Sequence, residues 1–156
     1  MDKAEKANRY GEVETEISAV LEGETNPIAQ MATVSNILHH AFPYFFWTGF
    51  YIVDPQKKDE LVVGPYQGTL GCLRIPFERG VCGAAATTGE IQIVDDVHEF
   101  PGHIACDARS RSEIVIPVHN NAGELLAVFD VDSDQPAMFD KVDAAGLSAI
   151  LKQVFP

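Results

Sequence analysis

Residues 71–113 read GCLRIPFERGVCGAAATTGEIQIVDDVHEFPGHIACDARSRSE and contain every cysteine of the chain, Cys72, Cys82 and Cys106. We take this stretch as the centre of the fold, because its glycine- and proline-bounded turns place thiols close to cationic side chains. Thiols held near cations favour redox or metal chemistry. The segments on either side are expected to form the scaffold around it.

Composition limits the class of protein. The chain has 156 residues, 46% of them hydrophobic, which is enough for the core of one domain without disulfides. An odd number of cysteines argues against a structural disulfide framework. The formal net charge of −12 disfavours nucleic acid and anionic membranes as partners. Because no apolar run reaches the roughly 20 residues of a membrane span, and the first residues form a polar helical pattern, we expect a soluble, cytoplasmic protein.

The pattern of apolar residues predicts an α+β fold. Residues 1–41 are expected to form two amphipathic N-terminal helices, the second starting at Asn26-Pro27. Residues 42–156 are expected to form the sheet and the active-site loops, within a single domain spanning 1–156. The central sheet is predicted to be antiparallel and covered by helices on one side. In chain order, the predicted elements after residue 41 are a strand at 42–53, its hairpin partner at 61–66, a short helix at 80–89, a strand at 91–94, a hairpin of 113–118 with 124–131, and a closing helix after 139.

Two cysteines have a physical claim to reactivity. Cys106 lies in a loop with His103, Arg109 and Arg111, and nearby positive charge lowers the pKa of a thiol. Cys82 lies at the predicted N-terminus of a short helix, where unpaired N–H groups favour a thiolate. Sequence alone does not rank these two effects, so either cysteine is a candidate nucleophile.

A zinc site is the less favoured use of the thiols. Cys72, Cys82 and Cys106, with His98 and His103, have the chemistry of zinc ligands. The chain has no CxxC or HxxxH pair, however, which most structural zinc sites contain. We therefore expect no metal.

Acidic and aromatic side chains complete the candidate site. Glu113, Asp130 and Asp132 lie on or at the ends of apolar strands, and the last two share a strand face because they are two residues apart. Carboxyl groups at such positions can bind an ammonium group, or hold a proton if burial raises their pKa. Trp47, near Tyr51, is a candidate wall for a small apolar pocket.

Three segments together carry a resemblance to a known family: RIPFERGVCGAAATTGE (74–90), VHEFPGHIACDARSRSEIVIPV (97–118) and GELLAVFDVDS (123–133). They resemble the free methionine-(R)-sulfoxide reductases, a branch of the GAF fold. The resemblance extends from about Trp47 to Phe139, and the chain length, the helices at the start and the cysteine spacing agree with it. It implies a single GAF-like domain.

The resemblance also implies an activity. The chain is expected to reduce free L-methionine-(R)-sulfoxide to methionine, without metal or organic cofactor, and to be recycled by thioredoxin. It places the nucleophile at Cys106, the main resolving thiol at Cys72 and a second resolving thiol at Cys82. The substrate contacts that it implies are Trp47, Tyr51, Glu113, Asp130 and Asp132.

One rival function belongs to another class. A GAF-type sensor that binds a small molecule without turnover would explain the fold and the pocket aromatics, but not three thiols near cations. Cys82 also stays an alternative to Cys106 as the nucleophile. The amphipathic N-terminal helices and the family lead us to expect a homodimer.

Overall fold

The fold is one antiparallel sheet with helices on both faces. A computed structural model describes residues 1–103 and 106–156. The strands are β1 (Trp47–Asp54), β2 (Lys57–Gln67), β3 (Arg74–Pro76), β4 (Gln92–Val94), β5 (Ser112–His119) and β6 (Leu125–Ser133). The helices are α1 (Lys3–Val20), α2 (Pro27–Ala41), α3 (Gly80–Thr88) and α4 (Lys141–Val154), with a 3-10 turn at Val97–Glu99. The strand order is β3-β2-β1-β6-β5-β4, and each neighbouring pair is antiparallel. None of the helices in the described residues has the length and apolar character of a membrane span.

The predicted α+β class and the order of the predicted elements are confirmed, with differences in detail. The structure adds β3, which the sequence pattern did not predict, and β2 begins at Lys57, before the predicted strand at 61–66. The first strand begins at Trp47, not at Phe42, because Pro43 lies in a turn that the Phe45 N–H closes by donating to the Phe42 carbonyl at 3.2 Å. Helices also cover both faces of the sheet, whereas one covered face was predicted. Helices α2 and α4 pack on one face with α1 across them, and α3 packs against β5 and β6 on the other.

Strand alternation divides the interior into two cores. On β6, Phe129 and Val131 face the core of α1, α2 and α4, while Val128 belongs to the core beneath α3. The strand period of two then places Asp130 and Asp132 on the α3 side as well. The predicted common face of these two aspartates is confirmed, and it is the face that carries the candidate site.

A buried ionic cluster fastens α1 and the turn after α2 to α4. Asp143 is fully buried, and its carboxylate accepts hydrogen bonds from Tyr10 at 2.8 Å and Tyr44 at 2.6 Å. Lys6 donates to the same carboxylate at 2.6 Å, and the backbone N–H of Asp140 donates at 2.9 Å. With its hydrogen bonds made and its charge paired, this carboxylate is stable in the apolar core.

Replacing Asp143 by Ala should lower the free energy of unfolding by about 3–5 kcal/mol, because it removes the nearer of the two carboxylates that pair with the buried Lys6 ammonium and leaves the Tyr10 and Tyr44 hydroxyls without their acceptor. Urea denaturation followed by circular dichroism measures the change. The matched control is Glu12→Ala, which breaks the surface pair of Glu12 with Arg9 at 2.9 Å on the same helix and should cost no more than about 1 kcal/mol. Equal losses in the two variants would contradict a structural role for the buried cluster.

Candidate active site

A single cavity on the α3 face gathers most of the side chains singled out by the sequence. Its volume is about 530 Å³, including the space open to solvent at the rim. It lies between α3, the sheet, the loop after β2 and the loop after the 3-10 turn. All predicted substrate contacts line it, and so do Cys82 and Cys106. Cys72 is outside the lining and reaches the cavity only through its bond to Cys106. The described residues that line the cavity are Trp47, Tyr51, Leu70, Gly71, Ile75, Gly80, Val81, Cys82, His103, Cys106, Asp107, Ser110, Glu113, Asp130 and Asp132.

Stacked aromatic rings form one wall. Trp47 stacks between Tyr51 and Tyr66, with ring centroids 5.5 Å and 5.0 Å away, and its indole N–H donates to the Thr69 carbonyl at 2.9 Å. Gly71 lies against this wall, where an added Cβ would come within 2.9 Å of the Trp47 ring. The indole is therefore fixed in orientation and presents an apolar surface to whatever enters.

Three carboxyl groups form the floor of the cavity. Glu113 on β5 is paired in register with Asp132 on β6, and Asp130 is two residues before Asp132 on the same face. Glu113 and Asp130 are 5% and 4% exposed. The Cys82 thiol on α3 contacts the Glu113 carboxyl, with Sγ 3.9 Å from Oε2. Among the described lining residues there is no lysine or arginine to balance these acids.

Burial without a cation raises the pKa of each acid on this floor. Desolvation, followed by the charge of Asp132, raises the pKa of Glu113 to about 8. The pKa values of Asp130 and Asp132 also rise well above the usual range, through burial and then through the neighbouring carboxylate. At neutral pH the floor therefore retains protons that a carboxyl group in water would release.

The cysteines divide into an accessible pair and a buried thiol. Cys72 and Cys106 form a disulfide with their Cα atoms 5.3 Å apart, and Cys106 is exposed at the cavity rim. Cys82 is free and 4% exposed. The expected activation of Cys82 by the N-terminus of α3 is wrong, because burial and then the charges of Asp130 and Glu113 raise the pKa of its thiol well above the ordinary value.

The cationic loop around Cys106 is partly neutralised. Arg109 forms an ion pair with Asp107 at 2.8 Å, and Asp107 also accepts a hydrogen bond from Thr69 at 2.8 Å, which joins the two loops. His103 was predicted to lie near Cys106, and both residues line the cavity. The Arg111 Nε is buried and has no hydrogen-bond partner among the described residues.

Some residues of the site had no signal in the sequence. Tyr66 stacks on Trp47 because β2 pairs with β1, and Ser110 is buried against the cavity. Leu70 and Gly71 had a weak signal, since they directly precede Cys72. The pairing that places Tyr66 was predicted, but its stacking on Trp47 was not, and loop packing places the other three.

Comparisons with known proteins identify relatives over almost the whole chain. The family model of the GAF domain matches residues 33–154. GAF domain-containing protein A of Dictyostelium discoideum is 45% identical over 152 residues, covering 97% of this chain and 94% of that protein. The free methionine-R-sulfoxide reductase of Escherichia coli is 39% identical over 149 residues, covering 96% and 88%. The crystal structure of free methionine-R-sulfoxide reductase from Neisseria meningitidis in complex with its substrate superposes with a TM-score of 0.91 at 45% identity, covering 99% and 89%.

The raised pKa of Glu113 predicts a pH-dependent contribution to stability. Because the folded pKa of about 8 exceeds the ordinary value of 4.5 for a glutamate, the protonated group stabilises the fold at low pH, and this contribution is lost as pH rises through about 8. Between these values, the stability of the wild type relative to Glu113→Gln should fall by at most about 1.4 kcal/mol per pH unit. Chemical denaturation of both proteins between these pH values measures the difference. The exposed replacement Glu90→Gln is the control and should not remove this dependence. Parallel curves for the wild type and Glu113→Gln would contradict the raised pKa.

Proposed function

This chain belongs to the free methionine-R-sulfoxide reductases of the GAF domain family, and we propose that it reduces free L-methionine-(R)-sulfoxide through a disulfide cycle of Cys106 and Cys72. It is an oxidoreductase by this relationship. The observation that supports the cycle is the accessible Cys72–Cys106 disulfide at the rim of a cavity whose floor has two buried carboxyl groups, Glu113 and Asp130, and the half-buried Asp132. The two cysteines at the rim supply the electrons that the reaction requires, and a carboxyl group on the floor supplies the proton.

The reaction begins with attack of the Cys106 thiolate on the sulfoxide sulfur. The sulfoxide oxygen takes up a proton, its bond to the substrate sulfur breaks, and the resulting hydroxyl is transferred to the Cys106 sulfur. Methionine leaves, and Cys106 is oxidised to a sulfenic acid. Glu113 is the proton donor in this scheme, since a carboxyl group with a pKa of about 8 is still protonated at neutral pH. The Cys72 thiol then condenses with the sulfenic acid, which releases water and forms the disulfide. An external dithiol reduces the disulfide by exchange and completes the two-electron cycle.

Cys106 is assigned as the nucleophile on grounds of access and charge. It lies at the exposed rim and is bonded to Cys72, as a sulfenic acid resolved by Cys72 would be. Cys82 is buried beside Glu113 and Asp130, where a thiolate is disfavoured. We assign Cys82 the part of a second resolving thiol.

The floor and the aromatic wall account for selection of the free amino acid. The α-ammonium group of the substrate binds the carboxyl floor, chiefly Asp130 and Asp132, which have no cation of their own among the described lining residues. Trp47 and Tyr51 shelter the methyl group. The backbone N–H groups at the start of α3 hold the carboxylate. A methionine within a polypeptide has no free ammonium or carboxylate and is refused.

The remaining partners follow from the disulfide and the composition. We propose thioredoxin as the dithiol, because the rim disulfide is open to a protein reductant. A cytoplasmic location agrees with that choice. We also propose a homodimer, with the exposed face of the N-terminal helices as its contact.

Methionine release from the separate R and S epimers tests the reaction, with thioredoxin and its reductase as the electron source. The wild type should turn over the R epimer alone. Cys106→Ser should fall below about a thousandth of the wild-type rate, because the attacking sulfur is removed. Cys72→Ser should release the first methionine normally and then recycle slowly, whereas Cys82→Ser should only be weakened.

Each alternative has its own result in the same assay. Full activity of Cys106→Ser with loss in Cys82→Ser would move the nucleophile to Cys82. Binding of methionine sulfoxide without turnover of either epimer would replace the enzyme by a GAF sensor.

Acetylation of the substrate amine tests the role of the floor. N-acetyl-L-methionine-(R)-sulfoxide should show a kcat/KM about 10- to 100-fold lower than the free amino acid, because the carboxyl groups lose their charged partner. Asp132→Asn should shrink that discrimination. The matched control is Asp134→Asn, an exposed aspartate just beyond β6, which should preserve it. Equal kcat/KM for both substrates in the wild type would contradict ammonium binding at the floor.

A further inference from the structure

Three potential metal ligands converge at one point of the cavity floor. One ligand atom each from Cys82, Glu113 and Asp130 lies within 4.8 Å of the other two, and all three residues are buried. They come from α3, β5 and β6, so their positions are fixed by the packing of a helix on two paired strands. No sequence spacing of the kind that marks zinc sites is needed when separate elements supply the ligands.

One carboxyl oxygen of this cluster has no partner. Asp130 is 4% exposed and lines the cavity, and its Oδ1 has no hydrogen-bond partner among the described residues. A buried carboxyl oxygen without a partner carries a desolvation cost, which a bound cation removes. Arg109 is already paired with Asp107 at the rim. The floor is thus a group of acids with no lysine or arginine among the described lining residues.

We propose that this floor binds one divalent cation of the zinc class through Cys82, Glu113 and Asp130, with the remaining coordination positions open to water. A thiolate with two carboxylates suits zinc or cobalt, whereas magnesium and calcium prefer oxygen ligands alone. Binding displaces to solvent the proton of the Cys82 thiol and the protons that the Glu113 and Asp130 carboxyl groups hold. The sequence led us to expect no metal, because the three ligands meet only in the folded chain.

Metal binding regulates the same site. If the proposed function holds, the cation occupies the carboxyl groups that otherwise bind the substrate ammonium, so the two compete for the floor. Cys82 remains free when Cys72 and Cys106 are bonded to each other, so the metal site persists in the oxidised protein. Zinc would then act as a reversible inhibitor of the enzyme.

Titration of the oxidised wild type with cobalt(II) tests the site without turnover. Cys82 is the thiol that the disulfide leaves free, so we expect a thiolate-to-cobalt charge-transfer band that saturates at one cobalt per chain. Zinc(II) should abolish the band by displacement. Cys82→Ser should lack it, and Asp130→Asn should weaken cobalt binding by about tenfold or more. Asp134→Asn is the matched acidic control and should bind as the wild type does.

Cobalt bound without the band, or an equal band in Cys82→Ser, would overturn the site and leave only adsorption to surface acids. The double variant Cys72→Ser/Cys106→Ser keeps Cys82 and should retain the band. A retained band assigns the cobalt–thiolate bond to Cys82 even if Cys82→Ser loses the band because it misfolds. In that variant, free methionine sulfoxide should raise the half-saturating cobalt concentration. No such shift would overturn the competition while the metal site stands. Failure of the sulfoxide reductase assay leaves the cobalt result unaffected, so the two proposals fail separately.

Discussion

The candidate site depends on three neighbouring carboxyl groups, two of them buried and Asp132 half-buried, that lie beside the Cys82 thiol. The described lining of the cavity has no lysine or arginine to pair with these carboxyl groups. Ionising any one of them in this environment costs several kcal/mol unless a partner arrives. The raised pKa values of Glu113 and Asp130 are the result. The carboxyl groups of the floor hold their protons until a cation displaces them. Either an ammonium group or a metal ion can stabilise the ionised carboxylates. In the proposed function, proton donation and substrate binding therefore have one physical origin.

The buried aspartates on the two faces of the sheet differ in how completely their carboxyl oxygens are hydrogen-bonded. Asp143, on the helical face, accepts hydrogen bonds from Lys6, Tyr10 and Tyr44 and leaves nothing for a ligand. Asp130, on the α3 face, keeps one oxygen without a partner. A satisfied carboxylate fastens helices together, whereas an unsatisfied one is a binding group. The Asp143 cluster thus fixes the helices on one face of the sheet, while Asp130 on the α3 face keeps an oxygen available for a ligand.

Local patterns predicted what the chain fixes locally. Strand alternation placed Asp130 and Asp132 on one face, and Asn26-Pro27 marked the start of α2 correctly. Patterns failed where the outcome depends on partners distant in sequence. The pKa of Cys82 is raised by burial and then by carboxylates on two strands, whereas its neighbours in sequence indicated only the helix N-terminus. The pairing of β2 with β1 was predicted, but the stacking of Tyr66 on Trp47 that results from it was not.

The separation of the cysteines has a consequence for the proposed chemistry. A thiol that attacks substrate and is then reduced by another protein must reach both the cavity and the surface, and Cys106 does so from the rim. A thiol buried among carboxyl groups is shielded from a protein reductant, and its thiolate is disfavoured until a cation compensates the charge. Cys82 is therefore suited to ligation or to a secondary redox step, while Cys72 and Cys106 form the bond that exchange can open. In the proposed cycle, the difference in burial between the rim and the floor is the reason that three cysteines have different roles.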